Sequence, residues 1–216
     1  MTLLIFDLDG TLIDSKLDLV HSVNAARGLM DLPPISEALI SSYVGNGAPM
    51  LMRRSLGPDA SEADVARGLE FFLKYYRAHM LDNTRLYPGV QNALDVLHDA
   101  RTKMAVLTNK PVRISRAIVD GLGLAGHFFQ VYGGNSFAQK KPDPVGIETL
   151  LSESGAARDC TIMVGDSGVD IQTARNASVQ ACGVSYGFQP GTFVDFPPDF
   201  VVDDLGQLAQ RVLTRG

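Results

Sequence analysis

The chain has 216 residues, 45% of them hydrophobic and 20% charged. That is enough for one large domain, or a core with a modest second one, and the balance is that of an ordinary soluble globular protein. The formal net charge is −5, from 19 basic and 24 acidic residues, and no long basic run occurs. This argues against nucleic acid or an anionic membrane as a partner.

The chain opens with Leu3-Leu4-Ile5-Phe6 running into Asp7-Leu8-Asp9-Gly10-Thr11. The apolar run is too short for a helix and predicts a strand buried on both faces, as in a parallel sheet. No basic segment precedes it and Asp7 cuts it short, so no signal peptide is expected, and no later stretch approaches transmembrane length. On an extended backbone Asp7 and Asp9 leave the same face. Two carboxylates so placed repel each other and resist burial, which makes a divalent cation a natural companion.

Asp14-Ser15 starts a helix, with Leu17, Val20, Val23 and Leu29 at near-helical spacing up to Met30. Pro33-Pro34 breaks it. Short helices are predicted from Ser36 to Tyr43 and from Pro49 to the Gly57-Pro58 stop. Ser61 with Asp64 resembles a capping box opening a long helix to about Leu81. No strand is expected here, so the segment 15–86 is predicted to be an all-helical insertion into a core formed by 1–14 and 87–216, with hinges near Leu12–Ser15 and Leu86–Gly89.

Beyond Tyr87-Pro88-Gly89 the pattern alternates. Helices are predicted at 90–100, after Pro111 to about Gly123, at 144–154, from 166 to about Ala177, and from Leu205 to Arg215. Strands are predicted at 104–108, 131–132, 161–164, 180–184 and 200–202. Strands alternating with helices indicate an α/β fold, a parallel sheet covered on both faces. Cys160 and Cys182 lie in or beside strands and are expected to be buried thiols in a reducing cytoplasm.

Ligands of such sheets bind beyond the carboxyl ends of the strands. Asp7 and Asp9, Thr108-Asn109, and Gly165-Asp166-Ser167 with Asp170 all fall at that position, and Lys140-Lys141-Pro142 precedes a helix. Hydroxyls and amides hold phosphate oxygens, lysine supplies positive charge, and carboxylates hold Mg²⁺. The set describes a site for a metal-bound phosphate.

These motifs, in this order, resemble the haloacid dehalogenase superfamily over nearly the whole chain. The helical insertion resembles that superfamily's first type of cap. Tyr43-Val44-Gly45-Asn46-Gly47-Ala48, with Leu51 and Arg53-Arg54, resembles the cap segment of its bacterial phosphoglycolate phosphatases, and Thr108-Asn109-Lys110-Pro111 fits the same group. The resemblance implies a Rossmann-like core of strand order 5-4-1-2-3 and a phosphatase acting on a small phosphorylated metabolite, 2-phosphoglycolate, as a monomer or homodimer. It implies Asp7 as nucleophile and Asp9 as general acid and base. Mg²⁺ would be held by Asp7, the Asp9 carbonyl, Asp166 and, directly or through water, Asp170. Thr108 and the Asn109 amide would bind phosphate, and Lys141 would offset its charge.

In the cap, Gly45, Asn46 and either Arg53 or Arg54 are candidate substrate contacts, although two such arginines can equally form a solvated helix face. Lys140 is expected to be a solvated neighbour of Lys141. Phe71, Phe72, Tyr75 and Tyr76 are expected to pack the cap. Asp9 favours phosphoryl transfer over dehalogenation. A sugar phosphatase, phosphomutase or pyrophosphatase shares the core motifs, and a non-catalytic phospho-accepting Mg²⁺-binding regulator would share the acids but not the cap.

Overall fold

The computed structural model describes residues 2–214. Strand β1 (Leu3–Phe6) is fully buried and is followed by the two-residue strand β2 (Ile13–Asp14). Four helices come next: α1 (Lys16–Leu29), α2 (Glu37–Tyr43), α3 (Ala48–Leu56) and α4 (Glu62–His79). Strand β3 (Arg85–Leu86) returns antiparallel to β2. The rest alternates: α5 (Val90–Asp99), β4 (Lys103–Leu107), α6 (Val112–Gly121), β5 (Gln130–Tyr132), α7 (Val145–Ser154), β6 (Thr161–Gly165), α8 (Gly168–Asn176), β7 (Gln180–Val184), β8 (Phe200–Val202) and α9 (Leu205–Leu213). The expected closing helix stops at Leu213, and Arg215 lies outside the described residues.

One parallel sheet runs in the order β5-β4-β1-β6-β7-β8. Counting only its own strands in chain order, this is 6-5-4-1-2-3, the expected five with one more at the edge. β1 is central, so each of its residues is covered on both faces. Leu4 and Phe6 join a cluster with Val106, Val164, Leu94 and Ile118. Leu3 and Ile5 point the other way, to Ala105, Met163, Ile147 and Ile171. The unbroken apolar run is the consequence of this two-sided burial, with each such side chain contributing about 1.5–3 kcal/mol.

Helices α1–α4 pack on one another, and α1 and α4 form the tightest pair. Their apolar faces (Leu19, Val23, Met52, Phe72) belong to the same cluster as one face of the sheet. Ser61 accepts from the Asp64 amide and Asp64 accepts from the Ser61 amide, so the capping box at α4 forms as expected. The β2–β3 pair was not anticipated, because two residues carry no periodicity. Cys182 is buried as expected, but Cys160 is exposed, because a 3-10 turn over Arg158–Cys160 puts it ahead of β6 rather than within it.

The register sets the working end of the sheet. Phe6 pairs with both Val106 and Val164, so β1, β4 and β6 end level. Asp7 donates its amide to the Val164 carbonyl at 2.9 Å, and the Thr108 amide bonds the Tyr132 carbonyl at 3.0 Å. Asp7, Thr108 and Asp166 therefore leave their strands side by side, beneath the helices of the insertion.

Candidate active site

Asp7 is 7% exposed and lies just past β1. Its Oδ1 accepts from the Leu8 amide at 2.7 Å and faces Lys141 Nζ at 3.0 Å. Lys141 reaches the site from a loop whose Lys141–Pro142 peptide is cis. Its ammonium is also 2.6 Å from Asp170 Oδ1. The other oxygen of Asp170 accepts from the Ser167 amide and hydroxyl at 3.2 and 2.7 Å. Both oxygens of Asp170 are thus engaged, one steering Lys141 and one closing the turn into α8.

Asp166 is buried at the end of β6. Its Oδ2 accepts from the amides of Phe188 and Gln189 at 2.6 and 3.2 Å. The close fit has sequence causes. Gly10 has φ +81°, and a Cβ there would lie 2.3 Å from Asp166 Oδ2. A Cβ on Gly187 would lie 2.1 Å from the Asp166 Cβ. Only glycine suits either place.

Asp7, Asp166 and Asp170 bring oxygens within 4.8 Å of one another. Lys141 pairs with Asp7 and Asp170, while Asp166 is held by backbone amides. Burial raises the Asp7 carboxyl to about 6, with Lys141 lowering it and Asp170 raising it further. Burial, then Asp170 and Asp7, hold Asp166 well above its ordinary value, against the lowering effect of the Phe188 and Gln189 amides. Carboxylates so crowded and dry lack positive charge, and an all-oxygen donor set suits a hard divalent cation such as Mg²⁺. Asp7, Asp166 and Asp170 are the residues that could hold it, and both oxygens of Asp170 already have partners.

Asp9 occupies a separate electrostatic environment. Lys110 Nζ donates to its two oxygens at 2.8 and 2.9 Å, and the Ser15 hydroxyl donates to Oδ1. Lys110 donates its remaining proton to the Tyr76 hydroxyl at 2.7 Å. Burial would lower the Lys110 ammonium, but Asp9 and Tyr76 outweigh it and the net shift is upward, so Lys110 stays charged. Burial raises the Tyr76 phenol to about 12 despite Lys110. The two acids of the opening motif thus belong to different ion pairs, Asp7 with Lys141 and Asp9 with Lys110.

The cleft between sheet and helices is walled by Asp7, Asp9, Thr108 and Lys110 below, and by Leu51, Phe72 and Tyr76 above. Asn109 spans its edge. It donates to the Gly45 carbonyl at 2.9 Å and to the Lys141 carbonyl at 3.0 Å. Asn46 meets the core through its carbonyl, which accepts from Lys140 at 2.7 Å. Lys140 is therefore a bridge to the cap loop and not merely a solvated neighbour. Gln189 donates to the Ser41, Ser42 and Val44 carbonyls at the end of α2.

Thus Asp7, Asp9, Thr108, Asn109, Lys141, Asp166 and Asp170 converge, with Gly45 at the rim. Arg53 and Arg54 do not join them. Arg53 pairs with Glu62 and bonds the Ala60 carbonyl, and Arg54 is exposed. Lys110, Tyr76 and Gln189 are the residues that sequence reasoning passed over. Lys110 sits next to Asn109 in a motif already singled out, and that adjacency was the available signal. Tyr76 packs on Phe72, as expected of a cap aromatic, yet its hydroxyl faces the cleft.

Comparison with known proteins finds relatives along nearly the whole chain. The model of haloacid dehalogenase-like hydrolases matches residues 4–184. A phosphoglycolate phosphatase of Vibrio parahaemolyticus is 38% identical over 97% of this chain and 95% of its own. One from Agrobacterium fabrum is 38% identical over 99% and 93%. The crystal structure of a predicted phosphoglycolate phosphatase from Haemophilus somnus superposes with a TM-score of 0.92 at 31% identity, covering 98% of this chain and 97% of that one.

Proposed function

This chain belongs to the haloacid dehalogenase-like hydrolases, and from that membership we propose that it is a Mg²⁺-dependent phosphatase converting 2-phosphoglycolate to glycolate and phosphate through an aspartyl-phosphate on Asp7. The observation that carries this reading is the isolation of Asp7 from Asp9. Asp7 lies in the under-compensated acid cluster with Lys141, while Asp9 has its own partners. One carboxylate can then attack phosphorus while the other handles protons, as two-step covalent hydrolysis requires.

Bound Mg²⁺ would supply charge neutralisation for the phosphoryl oxygens and for Asp7. Asp7 attacks in line, and Lys141, steered by Asp170, offsets the charge that gathers on the transferring group. Thr108 and the adjacent backbone hold the phosphoryl oxygens. Asp9, once it carries a proton, gives it to the departing alcohol oxygen and regains one from the water that opens the aspartyl-phosphate, so each turnover restores it. Residues 15–86 act as a cap that keeps bulk water from the reacting centre while the cleft is closed.

The test is hydrolysis by the purified protein. With Mg²⁺, kcat/KM for 2-phosphoglycolate should exceed that for p-nitrophenyl phosphate, a sugar phosphate and pyrophosphate. Chelation and Asp7→Asn should each abolish turnover. A sugar phosphate or pyrophosphate winning by a wide margin would overturn the substrate. Full activity of Asp7→Asn would overturn the mechanism.

A further inference from the structure

The proposed substrate carries a carboxylate as well as a phosphate. A carboxylate entering this cleft meets the carboxylates of Asp7, Asp9 and Asp166 below and the apolar Leu51 and Phe72 above. Burial there without a cation is prohibitive. The arginines expected for this task lie elsewhere, Arg53 on Glu62 and Arg54 exposed. Among the described residues, Lys110 is the only basic side chain on the cleft wall.

Its placement suits the task. Lys110 is 7% exposed, and its ammonium is held between Asp9 and Tyr76, the core and the cap. The Tyr76 hydroxyl accepts from Lys110, and no acceptor for its own proton is present among the described residues. A free phenolic proton therefore lies beside an ammonium that gives two of its three protons to Asp9. Two donors at one point match the two oxygens of a carboxylate.

We propose that Lys110 and Tyr76 form the carboxylate-recognition site of this enzyme, selecting phosphate monoesters that bear a carboxylate next to the ester carbon. Lys110 turns one of its two hydrogen bonds from Asp9 to the incoming carboxylate, and Tyr76 donates the second. Tyr76 belongs to α4 and Lys110 to the loop after β4, so the carboxylate is gripped from both sides of the cleft. The inference rests on the substrate class proposed above.

The test compares 2-phosphoglycolate with ethyl phosphate, which lacks the carboxylate, in the wild type, Lys110→Met, Lys110→Arg and Tyr76→Phe. The readout is the ratio of the two kcat/KM values, so a general loss of activity cancels. Lys110→Met should lower that ratio by about tenfold or more, mainly through KM for 2-phosphoglycolate. Tyr76→Phe should lower it less, and Lys110→Arg should keep part of it. If the wild type prefers 2-phosphoglycolate and both Lys110→Met and Tyr76→Phe keep the full preference, the site assignment is wrong and the substrate class stands. If the wild type shows no preference, the substrate class and this assignment both fail.

Discussion

At the scale of single residues, the two aspartates of the opening motif differ in what surrounds them. Asp7 shares Lys141 with Asp170 and stands near Asp166. Asp9 is held by Ser15 and by Lys110, which also bonds the Tyr76 hydroxyl. Under the proposed mechanism, the Asp9 side chain is dispensable for holding a cation but needed for proton transfer. Asp9→Asn should lower kcat by about 10²–10⁴. Mg²⁺ should still raise the melting temperature of Asp9→Asn, and should fail to do so in Asp166→Asn, as read by thermal shift. Near-normal turnover in Asp9→Asn would contradict the assignment. That these acids lie just past a strand end was legible from the apolar run that precedes them, but their separation into two ion pairs was not. The sequence could not pair Lys110 with them. Lys110 lies 101 positions from Asp9 and 34 from Tyr76, and only the register of β1 against β4 and the packing of α4 bring the three together.

At the scale of elements, the site depends on tight turns more than on helices. The turn after β1 passes so close to the end of β6 that Gly10 has no room for a side chain, and its φ of +81° lies in the left-handed region. Gly10→Ala should cost about 1–3 kcal/mol of stability from backbone strain alone. It should also displace Asp166 and remove activity, which denaturant unfolding and a phosphate-release assay measure together. A stable, active Gly10→Ala would show that the turn can relax. Long elements were legible here because they carry either an unbroken apolar run or a 3.6-residue period. The Ser61-x-x-Asp64 box marked the start of α4 to the residue. Of the two readings left open for Arg53 and Arg54, the structure has them on the outer helix face. Helix α3 is short, and Leu51, Met52, Ser55 and Leu56 form its buried side, which turns the arginines away from the cleft. The strands β2 and β3 left no trace in the sequence, since their pairing is decided by the junction they form.

At the scale of the whole molecule, one buried carboxylate ties that junction. Asp18, at the start of α1, accepts from the amides of Asn83 and Thr84 and from both of their side chains, at 2.8–3.0 Å. Burial alone would raise its carboxyl, but the Asn83 and Thr84 hydrogen bonds prevail and the net shift is downward. A depressed native value means that Asp18 stabilises the fold fully above its unfolded value of about 3.9. That contribution is lost as pH falls through the native value. Asp18→Asn should therefore lose about 2 kcal/mol at neutral pH, with the deficit shrinking as the solution is made acid. Parallel denaturant titrations of the two proteins across pH test this, and a deficit independent of pH would refute it.

The β2–β3 pair has a consequence for what the fold can become. Ile13 lies opposite Leu86 and Asp14 opposite Arg85, at the roughly 5 Å spacing of paired strands. Topologically, every residue between Asp14 and Arg85 is the loop of one long hairpin. The chain passes between the sheet and that excursion only at this pair, and no strand of the sheet has to shift if its contents are shortened, enlarged or exchanged for an unrelated module. Asp7, Asp9, Lys141 and Asp166 stay with the chassis, and Tyr76 goes with the part that is plugged in. Under the assignment made for Lys110 and Tyr76, the means of breaking the phosphate ester and half of the means of choosing it are separately heritable.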